Sequence, residues 1–495
     1  MSATAAPSGG GPCYLGVDVG TSMTKAAVFD EGGDLVASAD RPTRLAFGGE
    51  GRVEQSVEDV LHSVATVITD VLAGCGGREP ERIAITGQGD GCWLVDEHGR
   101  GVRPAVSWMD GRSTPQLTHW DSNGAVEKVY RINGNALFPG AMAPILAWLD
   151  EHEPTALDRA ATAHYCKDVI LGRLTGLRAT DPSDASLPFG TPDGQGYSSQ
   201  VLQVLDLEHR ADLLPPAQHP LPSAAMTAAG AALTGLREGM PVSAGPFDLP
   251  ACAAGAGVDQ VGDGLLIVGT TLACQVRVDH LDLAANPAGM HLATATSGQW
   301  LRALPAMVGT ASLDWVLDLL GLRHDRVGGA IEASSPGAGG VEVLPYLAPS
   351  GERAPFVDPT ARGQLTGLSL TTSNDDVVRA VCEGIAFAAR DCFEVTELTG
   401  TLYVCGGGAR SRPWLQIFAD VLGRPLHVAQ TLGVGARGAV LSALAGSAQS
   451  PDLAVWTAAE SVVEPRTELA GQYDELFDRY RAHRSAARQL WRTTP

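Results

Sequence analysis

At 495 residues the chain is longer than one core usually fills, so two domains are expected, and 44% hydrophobic against 18% charged residues describes a folded chain. With 35 basic and 56 acidic residues the formal charge is −21, which argues against nucleic acid or an anionic membrane surface as partner. Nine scattered cysteines without a CxxC pair suit a reduced, cytoplasmic setting better than a disulfide framework or a zinc site.

Residues 1–12, MSATAAPSGGGP, read as a flexible tail without the basic start or apolar core of a signal peptide, and no apolar run reaches membrane-spanning length. From Tyr14, YLGVDVGTSMTKAAVFD alternates and carries β-branched residues, which predicts a strand, a tight turn at Gly20–Ser22 and a second strand. Gly32 and Gly33 then turn the chain into DLVASA. SVEDVLHSVATVITDVLAGC has helical spacing behind an N-cap at Ser56, and RIAITGQGDG returns to a strand that ends in glycines.

Near the middle the same syntax restarts. MPVSAGPFDLPACAAGAG leads to the strand GLLIV, which meets the turn GTT at Gly269–Thr271 as the first strand meets GTS. DVVRAVCEGIAFAARDCFEVTEL predicts a long helix, TLYVCGGG a strand, and LFDRYRAHRSAARQLW a helix packed on the second domain. The boundary is expected close to Gly245, giving domains 13–245 and 246–495 whose two turns face each other across a cleft that holds one ligand.

The turns suggest phosphate chemistry. Gly20 lets backbone approach phosphate oxygens, and Thr21 and Ser22 add uncharged hydroxyl donors. Asp18 at the strand end can orient a water-coordinated Mg²⁺, which takes only one or two carboxylates; an incidental Asp beside a polar hairpin turn explains the same residues. Gly406, Gly407 and Gly408 offer bare backbone to a purine, or form a plain strand-to-helix connection. Asp248, with Pro250 two residues on, reads as a helix N-cap.

These stretches, with SWMDGRS, CKDVILGRLTG, AGPFDLPACAAGAG and above all LPYLAPSGERAPFVDPTARGQLTGLS, resemble the FGGY carbohydrate kinases of the sugar kinase, Hsp70 and actin superfamily. The resemblance runs in family order from about Tyr14 to about Ala445. It implies a two-domain α/β fold of the ribonuclease H type, closing over ATP and a small sugar or polyol. It further implies that Asp18 positions Mg²⁺ and that Gly20, Thr21 and Ser22 contact phosphates. Gly269, Thr270 and Thr271 make the second phosphate loop, Gly309 lies near the ribose, and Gly406, Gly407, Gly408 and Ala409 form the adenine site.

Asp248 matches the aspartate that takes the proton from the attacking hydroxyl. By the same resemblance, Gln88, Asp90 and Asp110 are expected to bind sugar hydroxyls and Trp108 to form a flat wall, with Arg112 left open; a core tryptophan and a surface salt bridge are the ordinary alternatives. TGQGDGCWLVDE and CKDVILGRLTGLRATDPSDAS are most similar to the branch of erythritol kinases and, more distantly, L-xylulose kinases. That implies a four- or five-carbon polyol or ketose, with a pentulose kinase as the alternative.

MVGTASLDW departs from the family's paired glycines near the ribose, and TLGVGARGAVLSALAG lacks an acidic residue often found there. Two rival functions are an ATP-dependent clamp of the Hsp70 or actin type and a noncatalytic sugar sensor. A homodimer is the base-rate assembly.

Overall fold

The computed structural model describes residues 11–491 apart from Thr431, Ala448 and the side chain of Glu50; the expected tail, but for Gly11 and Pro12, lies outside the described residues. Strands β1 (Cys13–Val19), β2 (Met23–Asp30), β3 (Leu35–Pro42), β4 (Arg82–Gly87), β5 (Ser223–Ala225) and β6 (Pro241–Ala244) form one sheet in the order β5-β6-β4-β1-β2-β3. β1, β2 and β3 are antiparallel neighbours, whereas β4 runs parallel to β1 and β6 parallel to β4.

A second sheet holds β7 (Gly264–Val268), β8 (Leu272–Val278), β9 (Met290–Ala293), β10 (Trp300–Ala306), β11 (Leu402–Cys405), β12 (Leu426–Val428) and β13 (Ser461–Val463). Its order is β9-β10-β8-β7-β11-β12-β13. The stretch β10-β8-β7-β11-β12 repeats β3-β2-β1-β4-β6 strand for strand and direction for direction. The duplicated syntax is therefore a duplicated fold of the ribonuclease H type. β1 is buried almost throughout, as a central strand covered on both faces must be.

Helix α1 (Val57–Ala73) starts where Ser56 accepts the Asp59 N–H (3.2 Å), and Val57, Val60, Leu61, Val64, Val67, Ile68 and Val71 recur at helical spacing on its buried face. With α2 (Cys166–Thr175) it covers one face of the first sheet. The remaining helices that matter here are α3 (Asp248–Ala256), α4 (Asn374–Glu394), α5 (Val434–Leu444) and α6 (Ala470–Trp491). α6 buries Tyr473, Phe477, Tyr480 and Trp491 in the second domain's core, as its pattern predicts. α4 stops at Glu394, short of the predicted end, where Val395, Thr396 and the loop to Gly400 favour other conformations.

The far face of the first sheet is closed by a helix from the other half of the chain. Ala436, Ala439 and Val440 of α5 pack with Tyr14, Ala27, Phe29 and Ala84. α3, which follows the last strand of the first sheet, packs Ala253 and Ala256 with Leu265 and Cys405 of the second sheet. The two helices cross in backbone contact: a Cβ placed on Gly255 would lie 2.0 Å from the Val434 carbonyl oxygen, and one on Gly438 would lie 1.7 Å from that of Ala251. Among the described residues no helix is long and apolar enough to cross a membrane.

Candidate functional site

The C-terminal ends of the central parallel strands β1, β4, β7 and β11 carry the predicted residues, the usual place for a ligand in an open α/β sheet. Asp18 is the next-to-last residue of β1 and pairs across the sheet with Lys25 of β2, so both side chains leave the same face. Asp90 follows β4 and takes a left-handed backbone (φ 53°), which aspartate tolerates better than most residues. Asp248 opens α3.

The cap position of α3 belongs to Phe247, whose side chain makes no capping bond, so Asp248 is the first helical residue rather than the predicted N-cap. Its carboxylate accepts the Leu249 N–H. The backbone before it is tightly held. The Phe247 N–H donates to Ser183 Oγ (2.9 Å), Ser183 Oγ donates to Asp181 Oδ2 (2.6 Å), and Asp181 Oδ1 lies 2.8 Å from the buried Lys167 ammonium. The Phe247 ring meanwhile rests on the loop after β4, since a Cβ on Gly89 would come within 2.4 Å of it.

The three carboxylates are electrostatically strained. Burial, then the negative charges of Asp18 and Asp90, push Asp248 well above the usual carboxylate range. Burial raises Asp90 to about 7 against the opposing pull of the Arg353 guanidinium. Asp18 is raised by burial and eased by Lys25. Such a cluster favours cations and hydrogen-bond donors.

The two predicted phosphate turns close alike, with Gly20 N–H on Met23 O (3.0 Å) and Gly269 N–H on Thr271 O (3.2 Å). Ser22 and Thr270 are exposed. Gly309 lies directly against the second turn: a Cβ there would sit 2.4 Å from the Thr270 carbonyl oxygen. Gly406 has φ 101° and backs onto the end of β7, where a Cβ would meet Val268 O at 2.5 Å; Gly407 faces open space. Gly408 and Ala409 are buried, and the Ala409 side chain belongs to the second core, leaving Gly406 and Gly407 as the open part of that stretch.

Three predicted side chains have other partners. The Thr21 hydroxyl donates to Gln88 Oε1 (3.0 Å) and accepts from Trp108 Nε1 (2.7 Å), so its proton is not free for phosphate. Gln88 donates to Gln55 Oε1 (2.7 Å) and toward Cys166 Sγ (3.8 Å), and so supports the turn instead of presenting its amide to a sugar. Asp110 is fully enclosed, accepting the Val53 N–H (2.6 Å), the Arg112 N–H (2.9 Å) and both Arg112 Nε and NH2 (2.9 Å each). Arg112 also reaches Glu54 (2.6 Å) and lies over the Trp148 ring. The Asp110–Arg112 pair, for which a surface salt bridge was the ordinary alternative, is thus buried, because Glu54 and Trp148 come from distant segments that fold over it.

Asp90 and Trp108 remain at the cleft. Asp90 is 4% exposed and its carboxylate makes no hydrogen bond among the described residues. The sequence reading named neither Lys25 nor Arg353. Lys25 could have been found as the one cation of the strand MTKAAVFD, its exposed position, placed opposite Asp18 by the short turn. Arg353 sits in the irregular run LAPSGERAPF, where no periodicity marks it; its guanidinium lies 5.4 Å from the Trp108 ring centroid and 5.1 Å from that of Phe138.

The site fits a hydrated Mg²⁺. Asp18 is half-buried with no hydrogen-bond partner among the described residues, and a side chain on Gly435 at the start of α5 would collide with it (2.8 Å to Oδ2). Among the described residues no group of three or more His, Cys, Asp or Glu side chains could hold a metal alone. One carboxylate with waters is what Mg²⁺ takes when phosphates supply the rest.

Comparison with known proteins agrees over nearly the whole chain. The N-terminal domain of the FGGY family of carbohydrate kinases matches residues 13–255, and the C-terminal domain matches residues 269–447. The erythritol kinase of Brucella abortus is 33% identical, covering 97% of each chain, and the xylulose kinase of Escherichia coli is 30% identical, also covering 97% of each. The crystal structure of xylulose kinase from Rhodospirillum rubrum superposes with a TM-score of 0.85 at 26% identity, covering 97% of this chain and 100% of that one.

Proposed function

Because the chain belongs to the FGGY family of carbohydrate kinases, phosphotransferases with an alcohol acceptor, we propose that it moves the γ-phosphoryl group of ATP to a sugar alcohol or ketose of four or five carbons. Erythritol is the first choice, on the similarity to the Brucella enzyme and on the TGQGDG segment; L- or D-xylulose is the second, on the similarity to the xylulose kinases.

The observation that carries the reading is Asp248, an acceptor-only side chain at the cleft with one backbone hydrogen bond and two negative neighbours. As general base it takes the proton from the acceptor hydroxyl while that oxygen bonds to the γ-phosphorus and the bond to the ADP oxygen breaks. Asp90 and Trp108 frame the acceptor, while Gln88 and Asp110 hold the loops behind them. The turns at Gly20–Ser22 and Gly269–Thr271 cradle the phosphates, Gly309 borders the ribose, and the stretch from Gly406 to Ala409 receives the adenine. Lys25 brings a positive charge beside Asp18, on the side of the transferred group. Asp18 would hold Mg²⁺ through water, and that ion, when bound, neutralises phosphate charge. Domain closure keeps out water, which is itself a competing acceptor.

The test is ADP release from Mg-ATP over a panel of three- to seven-carbon polyols and ketoses, with Asp248→Asn alongside. Asp248→Asn is expected to lower turnover by about 10²–10⁴ while ATP still binds, the range for a positioned general base. Full turnover in that variant removes Asp248 from the role. ATP binding with silence across the whole panel favours the noncatalytic sensor instead.

A further inference from the structure

We propose that Arg353, carried into the cleft by the second domain, determines specificity by gripping, together with Asp90 of the first domain, two neighbouring hydroxyls of the acceptor. The proposal rests on the kinase reading above. The root of Arg353 is fixed: Glu352 Oε1 accepts the N–H groups of Met307 (2.7 Å), Arg353 (2.8 Å) and Ala354 (3.2 Å), and Arg353 Nε donates to Pro305 O (3.0 Å). Its tip is then flanked by Trp108 and Phe138, two aromatic rings of the first domain. Two faces and one anchored nitrogen leave the terminal NH2 groups as the free donors, and they make no hydrogen bond among the described residues.

Asp90 is the matching half. It is buried, held in a left-handed backbone, and its oxygens are as free of hydrogen bonds as the Arg353 tip. The two groups feel each other's charge without forming an ion pair. A guanidinium only donates and an ionised carboxylate only accepts, and both are costly to leave unmatched once the acceptor covers them. A vicinal diol satisfies both, because each hydroxyl accepts from Arg353 on one side and donates to Asp90 on the other. An acceptor lacking one of those hydroxyls leaves a buried charge unpaired, so the pair selects against deoxy analogues more sharply than an apolar wall selects by size.

The experiment compares wild type, Arg353→Met and Arg353→Lys as full chains on the best acceptor of the panel and on its mono-deoxy analogues, with a thermal melt of each variant. Arg353→Met is expected to raise the acceptor KM by roughly 10²-fold with the ATP KM unchanged, and to lose most of the discrimination against one deoxy analogue; Arg353→Lys restores part of both. Should Arg353→Met fail to fold, a partial loss of deoxy discrimination in Arg353→Lys, with the ATP KM unchanged, decides the matter. Discrimination equal to wild type in the folded variants overturns the proposal and makes Arg353 a closure latch on the two rings. A wild-type chain inert on every acceptor overturns the kinase reading, and this assignment with it.

Discussion

In the proposed role of general base, Asp248 is governed by its neighbours more than by its own chemistry. Burial and the charges of Asp18 and Asp90 favour its protonated form, while Lys25 and Arg353 act on those two neighbours from the opposite sign. A base must be ionised to act, so kcat/KM for the acceptor is expected to fall on the acid side at a pH above the ordinary carboxylate range. Asp90→Asn takes away one negative neighbour, which favours ionised Asp248 and shifts the acid limb to lower pH. A pH profile checks this, and a limb that stays in place would show that Asp90 does not govern the base. At this scale the sequence revealed groups whose chemistry is local: a carboxylate ending a strand, a glycine opening a turn. The partners Gln55 of Gln88 and Val53 of Asp110 were not legible, because they are chosen by how separate segments fold together.

Among the elements, α3 and α5 bear the tightest constraint. At Gly255 and Gly438 each backbone occupies the space of the other's side chain. Gly438→Ala must push the helices apart, which moves Asp248 at one helix start and Gly435 beside Asp18 at the other. It is expected to cost about 1–3 kcal/mol, the range for overpacking, and to lower turnover without touching a ligand. Thermal unfolding and steady-state kinetics on the same preparation check it; a variant with wild-type melting and turnover would mean the crossing yields freely. The strands β1, β2, β4, β7 and β11 and the helices α1, α4 and α6 were readable from periods of two and 3.6 residues, whereas α5 was not read as a helix. The crossing was not readable, since small residues carry no periodic signal and α5 meets the first sheet through Gly16 and Ala436, far apart in sequence.

In the whole molecule the two repeats are not self-sufficient. The first sheet lacks one cover until α5 and Trp456 arrive: the Trp456 indole N–H donates to Glu31 O (3.0 Å), and Arg437 bonds both Gly33 O (2.8 Å) and Trp456 O (2.6 Å). A fragment of residues 11–262 would expose Tyr14, Ala27, Phe29 and Ala84 on one side of its sheet. It is expected to aggregate alone and to become soluble and active when co-expressed with residues 263–491. A monodisperse, folded fragment 11–262 in analytical centrifugation and circular dichroism would contradict this.

The crossing helices also dictate how the cleft can open. Two bodies pinned by a close backbone crossing cannot drift apart as beads on a string; they turn about the pin, like scissor blades about a rivet. Gly435, which touches Asp18, lies three residues from Gly438, roughly 5 Å along the helix axis. Points near a pivot travel least. An opening rotation therefore leaves Asp18 and its turn almost stationary while the parts farthest from the crossing sweep the greater arc.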